Sequence, residues 1–172
     1  MANAIYWDTS ALIKLYASEA DSSDYLRLLV GQSEDIAISF LHRVELYFAL
    51  RGKETRGEIA TGSATQLFDL FERHISAGRY YVIPWGEDVA LEARKLLDTC
   101  VTTSPPVMLR SLDGLHLGTL RAAKLQSVVT ADLKMRDAAR IAGIGVVDRS
   151  RNRTQQDASN RYNTRDEREL LR

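Results

Sequence analysis

Apolar side chains along this chain fall into two alternating rhythms. Short runs rich in Ile, Val and Tyr end in turn-forming or charged residues and predict strands: AIYW (4–7), IAIS (36–39), YYVIP (80–84), SVVT (127–130) and GVV (145–147). Between them apolar residues recur every three and four positions, as on one face of a helix. These stretches are SALIKLYA (10–17), DSSDYLRLLV (21–30), LHRVELYFALR (41–51), a long segment across 54–77, EDVALEARKLLDT (87–99), LDGLHLGTLRAAK (112–124) and LKMRDAARIAG (133–143). Strands that alternate with helices predict an α/β fold whose parallel sheet is covered on both faces. TTSPP (102–106) is a loop, because consecutive prolines cannot continue a helix. No repeat of fixed period runs through the chain, which argues against a solenoid.

Composition sharpens this picture at one end. With 172 residues, 45% of them hydrophobic, the chain suits one domain with a single sizeable core. The net charge of zero conceals two unlike parts: residues 1–148 carry 16 Lys and Arg against 19 Asp and Glu, whereas residues 149–172 carry 7 against 4. The second part is almost devoid of apolar residues before Leu170 and Leu171 and cannot offset its ordering entropy, so it is expected to be a mobile or partner-docking tail. Its arginines suit nucleic acid, and a solvated extension is the simpler reading. No apolar run reaches the roughly 18 residues of a membrane span and no secretory signal pattern opens the chain, so a cytoplasmic protein without a membrane segment is expected. Cys100 is the sole cysteine; it is expected to be a small core or edge residue and not a nucleophile.

Four acids stand at strand ends or on helix faces shared with apolar residues. Ligands of an open parallel sheet bind beyond the carboxyl ends of the strands, and Asp8 and Asp132 follow the first and fourth predicted strands. Helix capping explains either one alone. Glu45 is different: its helical neighbours Leu41, Phe48 and Ala49 are apolar, so an ionised carboxylate on that face needs a partner. Asp113 shares its side of a helix with His116 and Leu117, and an ordinary interaction with the helix dipole competes with a functional role. Were the four to converge, they would require shared protons or a cation, and an all-oxygen set suits Mg²⁺ or Mn²⁺ better than zinc. His42, His74 and His116 lack zinc-like spacing, and His116 reads as a packing residue.

Four segments, YWDTSALIKLY, HRVELYFAL, SLDGLHLGTLRAAK and VVTADLKMRDAARIAGIGVV, occur in an order and spacing that resembles the PIN-domain ribonucleases, and among them the VapC-type toxins of toxin–antitoxin modules. The resemblance spans about residues 4–148. It implies an αβα sandwich around a mainly parallel sheet, with Asp8, Glu45, Asp113 and Asp132 as catalytic, metal-binding acids and Ser10 and Thr130 as supporting hydroxyls. It also implies Mg²⁺- or Mn²⁺-dependent cleavage of RNA, neutralisation by a small antitoxin protein, and a homodimer. Asp137 is read as a surface charge. Two features depart from the pattern: Gly118 stands where an alanine is usual, a mild change, and the tail lies beyond the ordinary domain. The polar stretch 52–66 fits least well.

On this reading a cation held by the acids activates water for attack on a phosphodiester. Arg43, Arg110, Lys134 and Arg136 are candidate phosphate contacts, each with an ordinary surface role as its competitor. Leu12, Leu15, Tyr16, Leu46, Tyr47 and Leu50 suit core packing first and an antitoxin or dimer groove second. The alternatives are a PIN nuclease in RNA maturation, a non-catalytic PIN-like module, or a phosphoacceptor domain using Asp8, Thr130 and Lys134. The last normally needs paired acids beside its first strand, and residues 4–10 hold only Asp8.

Overall fold

In the computed structural model, residues 3–148 are described; the expectations placed on 149–172 lie outside the described residues. Five strands, β1 (Ala4–Trp7), β2 (Asp35–Ser39), β3 (Tyr80–Ile83), β4 (Ser127–Val129) and β5 (Gly145–Val146), form one sheet in the order β3-β2-β1-β4-β5. All of its pairings are parallel, where a mainly parallel sheet was expected.

Strand side chains alternate between faces, and this alternation divides the core in two. Trp7, Ile36, Ile38 and Val129 face one layer, together with α1 (Thr9–Leu12), α2 (Ser22–Gly31), α3 (Leu41–Thr55) and α4 (Ser63–Ser76). Tyr6, Ala37 and Val128 face the other, against α5 (Glu87–Val101), α6 (Ser111–Ala122) and α7 (Leu133–Ile141). The result is an αβα sandwich. Leu12, Leu46 and Leu50 are wholly buried in the first layer, Leu15 and Tyr16 pack against it, and half-exposed Tyr47 sets its ring edge-on to Phe68. Cys100 is buried in the second layer.

The long helix expected across 54–77 is broken. Helix α3 runs on to Thr55, and α4 starts only at Ser63, because Gly57 and Gly62 between them hold φ of +72° and +84°, the left-handed region that ends helices. The first helix is also shorter than its apolar pattern; after Leu12 it tightens into a 3₁₀ turn, Ile13–Leu15. Gly118 proves to be a demanding position. A Cβ there would lie 2.7 Å from the Val89 carbonyl oxygen and 2.9 Å from the Ala93 nitrogen, so the backbones of α5 and α6 approach too closely for alanine.

His42 ties the sheet to α3. The Ser39 N–H donates to its Nδ1 at 3.0 Å, which puts the ring proton on Nε2, and that nitrogen donates to the Trp7 carbonyl at 2.7 Å. Among the described residues no helix is long and apolar enough to cross a membrane.

Strand order decides where a site can form. The chain lays β2 and β3 on one side of β1 and then β4 and β5 on the other, so the connections leaving the carboxyl ends of β1 and β4 diverge and open a crevice. At its floor the Asp8 N–H donates to the Val129 carbonyl at 2.9 Å.

Candidate active site

Asp8, Glu45, Asp113 and Asp132 line one cleft of about 330 Å³ at this crevice, together with Thr9, Ser10, Ile13, Phe48, Ala49 and Arg110. Asp8 leaves β1 in extended conformation and caps α1 through the Ser10 N–H. Its Oδ2 also accepts from Ser10 Oγ at 2.5 Å and Thr130 Oγ1 at 3.0 Å. Ser10 Oγ in turn accepts from the Ala131 N–H at 3.0 Å, so one hydroxyl stitches the turns after β1 and β4 together.

Glu45 is held from two directions. Thr9 Oγ1 donates to its Oε2 at 2.6 Å, and His116 Nε2 lies 2.5 Å from the same oxygen. His116 also stands 3.5 Å from Asp8 Oδ1, and its Nδ1 is 2.7 Å from the Tyr6 hydroxyl, which reaches Ser39 Oγ at 3.0 Å. His116 is therefore part of the site and not merely a packing residue. Its signal in the sequence was its place three residues after Asp113, one helical turn on. Thr9 is the hydroxyl that meets Glu45, whereas Ser10 meets Asp8.

The other two acids share an exposed cation. Asp113 occupies the first turn of α6, and Asp132 caps α7 by accepting from the Met135 N–H at 3.0 Å. Arg110 bridges them, with Nε 2.9 Å from Asp113 Oδ2 and a terminal nitrogen 2.6 Å from Asp132 Oδ2. Arg43 corrects an expectation. Its guanidinium makes a two-pronged pair with Glu72 of α4, at 2.8 and 3.0 Å, and so is held against that helix and away from the acids. Lys134 is exposed on α7, and Arg136, on the same helix, is half-buried. Phe48 also departs from the pattern that singled out Glu45: Leu41 is buried, but Phe48, one turn past Glu45, is 72% exposed.

Electrostatics couples His116 and Glu45. Burial lowers the proton affinity of His116, but its hydrogen bond to Glu45 and the charges of Asp8, Glu45 and Asp113 outweigh this and raise its pKa. Burial would raise that of Glu45, and the His116 and Thr9 contacts reverse this, leaving it below the ordinary carboxylate value. The His116 hydrogen bond and the guanidinium of Arg110 thus offset part of the charge of the four acids. One ligand atom each from Asp8, Glu45 and His116 lies within 4.8 Å of the others, so the donor set fits a metal ion. Hard carboxylate oxygens dominate it, and the one imidazole nitrogen is already engaged by Glu45.

With this geometry in view, comparison with known proteins is informative. The PIN domain profile matches residues 5–141. Over 144 residues the chain is 33% identical to Ribonuclease VapC47 of Mycobacterium tuberculosis (strain CDC 1551 / Oshkosh), an alignment spanning 81% of this chain and 92% of that protein. Its fold is similar to FitAcB from Neisseria gonorrhoeae, with a TM-score of 0.60 at 18% identity, covering 86% and 99% of the two chains. A toxin–antitoxin complex from Klebsiella pneumoniae is similar with a TM-score of 0.54 at 19% identity, covering 84% and 97%.

Proposed function

Because this chain belongs to the PIN domain family, we propose that it is a Mg²⁺- or Mn²⁺-dependent endoribonuclease and the toxin of a toxin–antitoxin pair. The observation that carries this reading is the convergence of Asp8, Glu45, Asp113 and Asp132 on one cleft at the strand-order reversal. These four side chains would hold the cation. When bound, a divalent cation supplies an activated water at neutral pH and offsets charge on the leaving oxygen.

What the chain itself contributes is orientation. Ser10 and Thr130 donate to one oxygen of Asp8 and so leave the other turned toward the His116 side of the cleft. Thr9 and His116 fix Glu45 through a single oxygen, so its second oxygen remains for a ligand. Partners that lock such carboxylates are worth about 10- to 100-fold in metal affinity. Arg110, Lys134 and Arg136 are the cations suited to substrate phosphates. Arg110 would exchange its two acids for a phosphate when a metal takes over the neutralisation of those acids. Neutralisation by a small antitoxin, a homodimer and action in the cytoplasm belong to the same reading; the VapC47 relative is named a ribonuclease, and the Klebsiella neighbour is a toxin–antitoxin complex.

The test uses the purified full chain, an RNA pool and a calorimetric Mn²⁺ titration. Metal binding, cleavage that stops with chelator, and an Asp8→Ala variant that keeps its near-UV circular dichroism but no longer cleaves support the reading. Cleavage undiminished in that variant sinks it. Sequencing the 5′ ends of the products then identifies the target.

A further inference from the structure

The cleft that holds the acids does not end with them. It continues past Ser10, Ile13, Phe48, Ala49 and Asp132, which also border a second hollow of about 450 Å³ whose far wall carries Lys14, Lys53 and Arg56. The two arms differ in charge. In the first, four carboxylates face Arg110 and His116. In the second, Lys14 and Lys53 are buried and share Glu19; Lys14 also meets Asp21 at 2.6 Å, and Lys53 and Arg56 meet Glu58 at 2.9 and 2.5 Å. Counting Asp132 on the shared wall, three cations stand against four carboxylates, so that arm is closer to neutral than the first and is where a polyanion approaching the acids meets least repulsion.

Phe48 stands on the wall common to both arms. It follows Glu45 by one helical turn, its side chain is 72% exposed, and no ring of the described residues stacks against it. An aromatic ring left in water beside ionic groups loses apolar burial without any gain to the fold. It is also separate from the apolar pit formed by Phe40, Leu41, Val44, Trp85 and Leu112 on the other side of Glu45, where an apolar protein surface would find matching walls. Around Phe48 the walls mix Ile13 and Ala49 with the ionic groups of both arms, and drying those ionic groups against an apolar partner would be costly. A nucleobase suits the place better: its faces are aromatic, its edges stay wet, and its phosphates lie a few ångströms away.

We propose that Phe48 is a positioning residue whose ring stacks on a base of single-stranded RNA next to the scissile phosphate, with the substrate backbone entering along the Lys14, Lys53 and Arg56 arm. This rests on the nuclease reading above. Stacking depends on a flat π face, so Phe48→Leu, which keeps the apolar bulk, removes it, and Phe48→Trp restores it.

The experiment mixes the full-length protein and each variant with a single-stranded oligoribonucleotide containing 2-aminopurine, with Mn²⁺ and separately with chelator. Fluorescence quenching is read on mixing, before cleavage. Cleavage rates, Mn²⁺ binding by calorimetry and sedimentation are measured alongside. The expected result is that Phe48→Leu loses the quenching and weakens RNA binding by about 5- to 150-fold, that Phe48→Trp recovers both, and that Mn²⁺ binding is unchanged in either. Quenching and affinity equal to wild type in Phe48→Leu overturn the proposal. So does a change confined to the sedimentation of the protein, which assigns the ring to a protein contact. A wild-type protein that neither binds Mn²⁺ nor cleaves RNA defeats the nuclease reading and this proposal together, whereas cleavage indifferent to residue 48 defeats only the role of Phe48.

Discussion

The Asp8–Glu45 and Asp113–Asp132 halves of the acidic cleft reach compensation by opposite means. Asp8 and Glu45 are held by groups that are themselves buried or anchored, namely Thr9, Ser10, Thr130 and His116. Asp113 and Asp132 are bridged by Arg110, whose side chain is 69% exposed. Short, buried donors lose little entropy on pairing and are shielded from salt, whereas a long exposed guanidinium is solvated and replaceable. The first half is thus built to keep one geometry, and the second half is built to change partners.

The strongest challenge to this contrast is Asp8→Asn. It preserves shape and the donors around residue 8 but removes the charge, and it is expected to lower metal-dependent cleavage by more than the roughly 100-fold that loss of an outer partner can cost. Next in size is His116→Gln, expected to weaken Mn²⁺ binding by about 10- to 100-fold in a calorimetric titration. Gly118→Ala lies away from both halves and probes whether the frame is separable from the site. With its Cβ forced to within 2.7 Å of the Val89 carbonyl oxygen, it should lose about 1–3 kcal/mol in denaturant unfolding. Refolded variant should still bind metal. The smallest effect is that of Arg110→Gln, which should change stability by less than about 1 kcal/mol. It should tighten Mn²⁺ binding, because a competing cation is gone, while weakening RNA binding; a weaker metal site in this variant would contradict the division into fixed and exchangeable halves.

Acidity sharpens the same contrast from within the first half. Burial, and then the charge of neighbouring His116, push the His42 pKa down to about 4 from its model-peptide value of 6.5. Its neutral form is the one bonded to Ser39 and Trp7, so the unfolded chain binds more protons between those two values. Stability from His42 is complete above pH 6.5 and is lost as the pH falls toward 4. His116 has the opposite sign: its raised pKa gives stability that is complete below 6.5 and fades as the pH rises through the folded value. Unfolding midpoints across pH 4–8, compared between wild type and His116→Gln, should show the alkaline decline only in the wild type.

Much of this was legible in the chain. Short apolar runs located all five strands, because a buried parallel strand leaves few other choices for Val and Ile. Acids at strand ends and on helical turns pointed to the cleft, and the layered packing followed from the alternation of elements. Side-chain direction was less legible. Whether Arg43 turns to the acids or to Glu72 depends on where α4 lies, and that depends on a break at Gly57 and Gly62 that the apolar rhythm runs straight through. Thr9 and His116 resemble a turn residue and a core histidine until Glu45 is placed between them. The demand for glycine at 118 came from the backbone of another helix, which no local pattern records.

The adjacency of β1 and β4 also has a temporal meaning. Asp8 is synthesised with β1, yet the hydroxyl of Thr130, the amide of Ala131 and the carboxylate of Asp132 are made more than 120 residues later. Until β4 reaches the sheet, Asp8 lacks the neighbours that aim it, and the pairing that supplies them is of the slow, long-range kind. A nascent or prematurely ended chain therefore carries the first acids without a finished cleft, and the ribosome completes the nuclease only near the end of the domain.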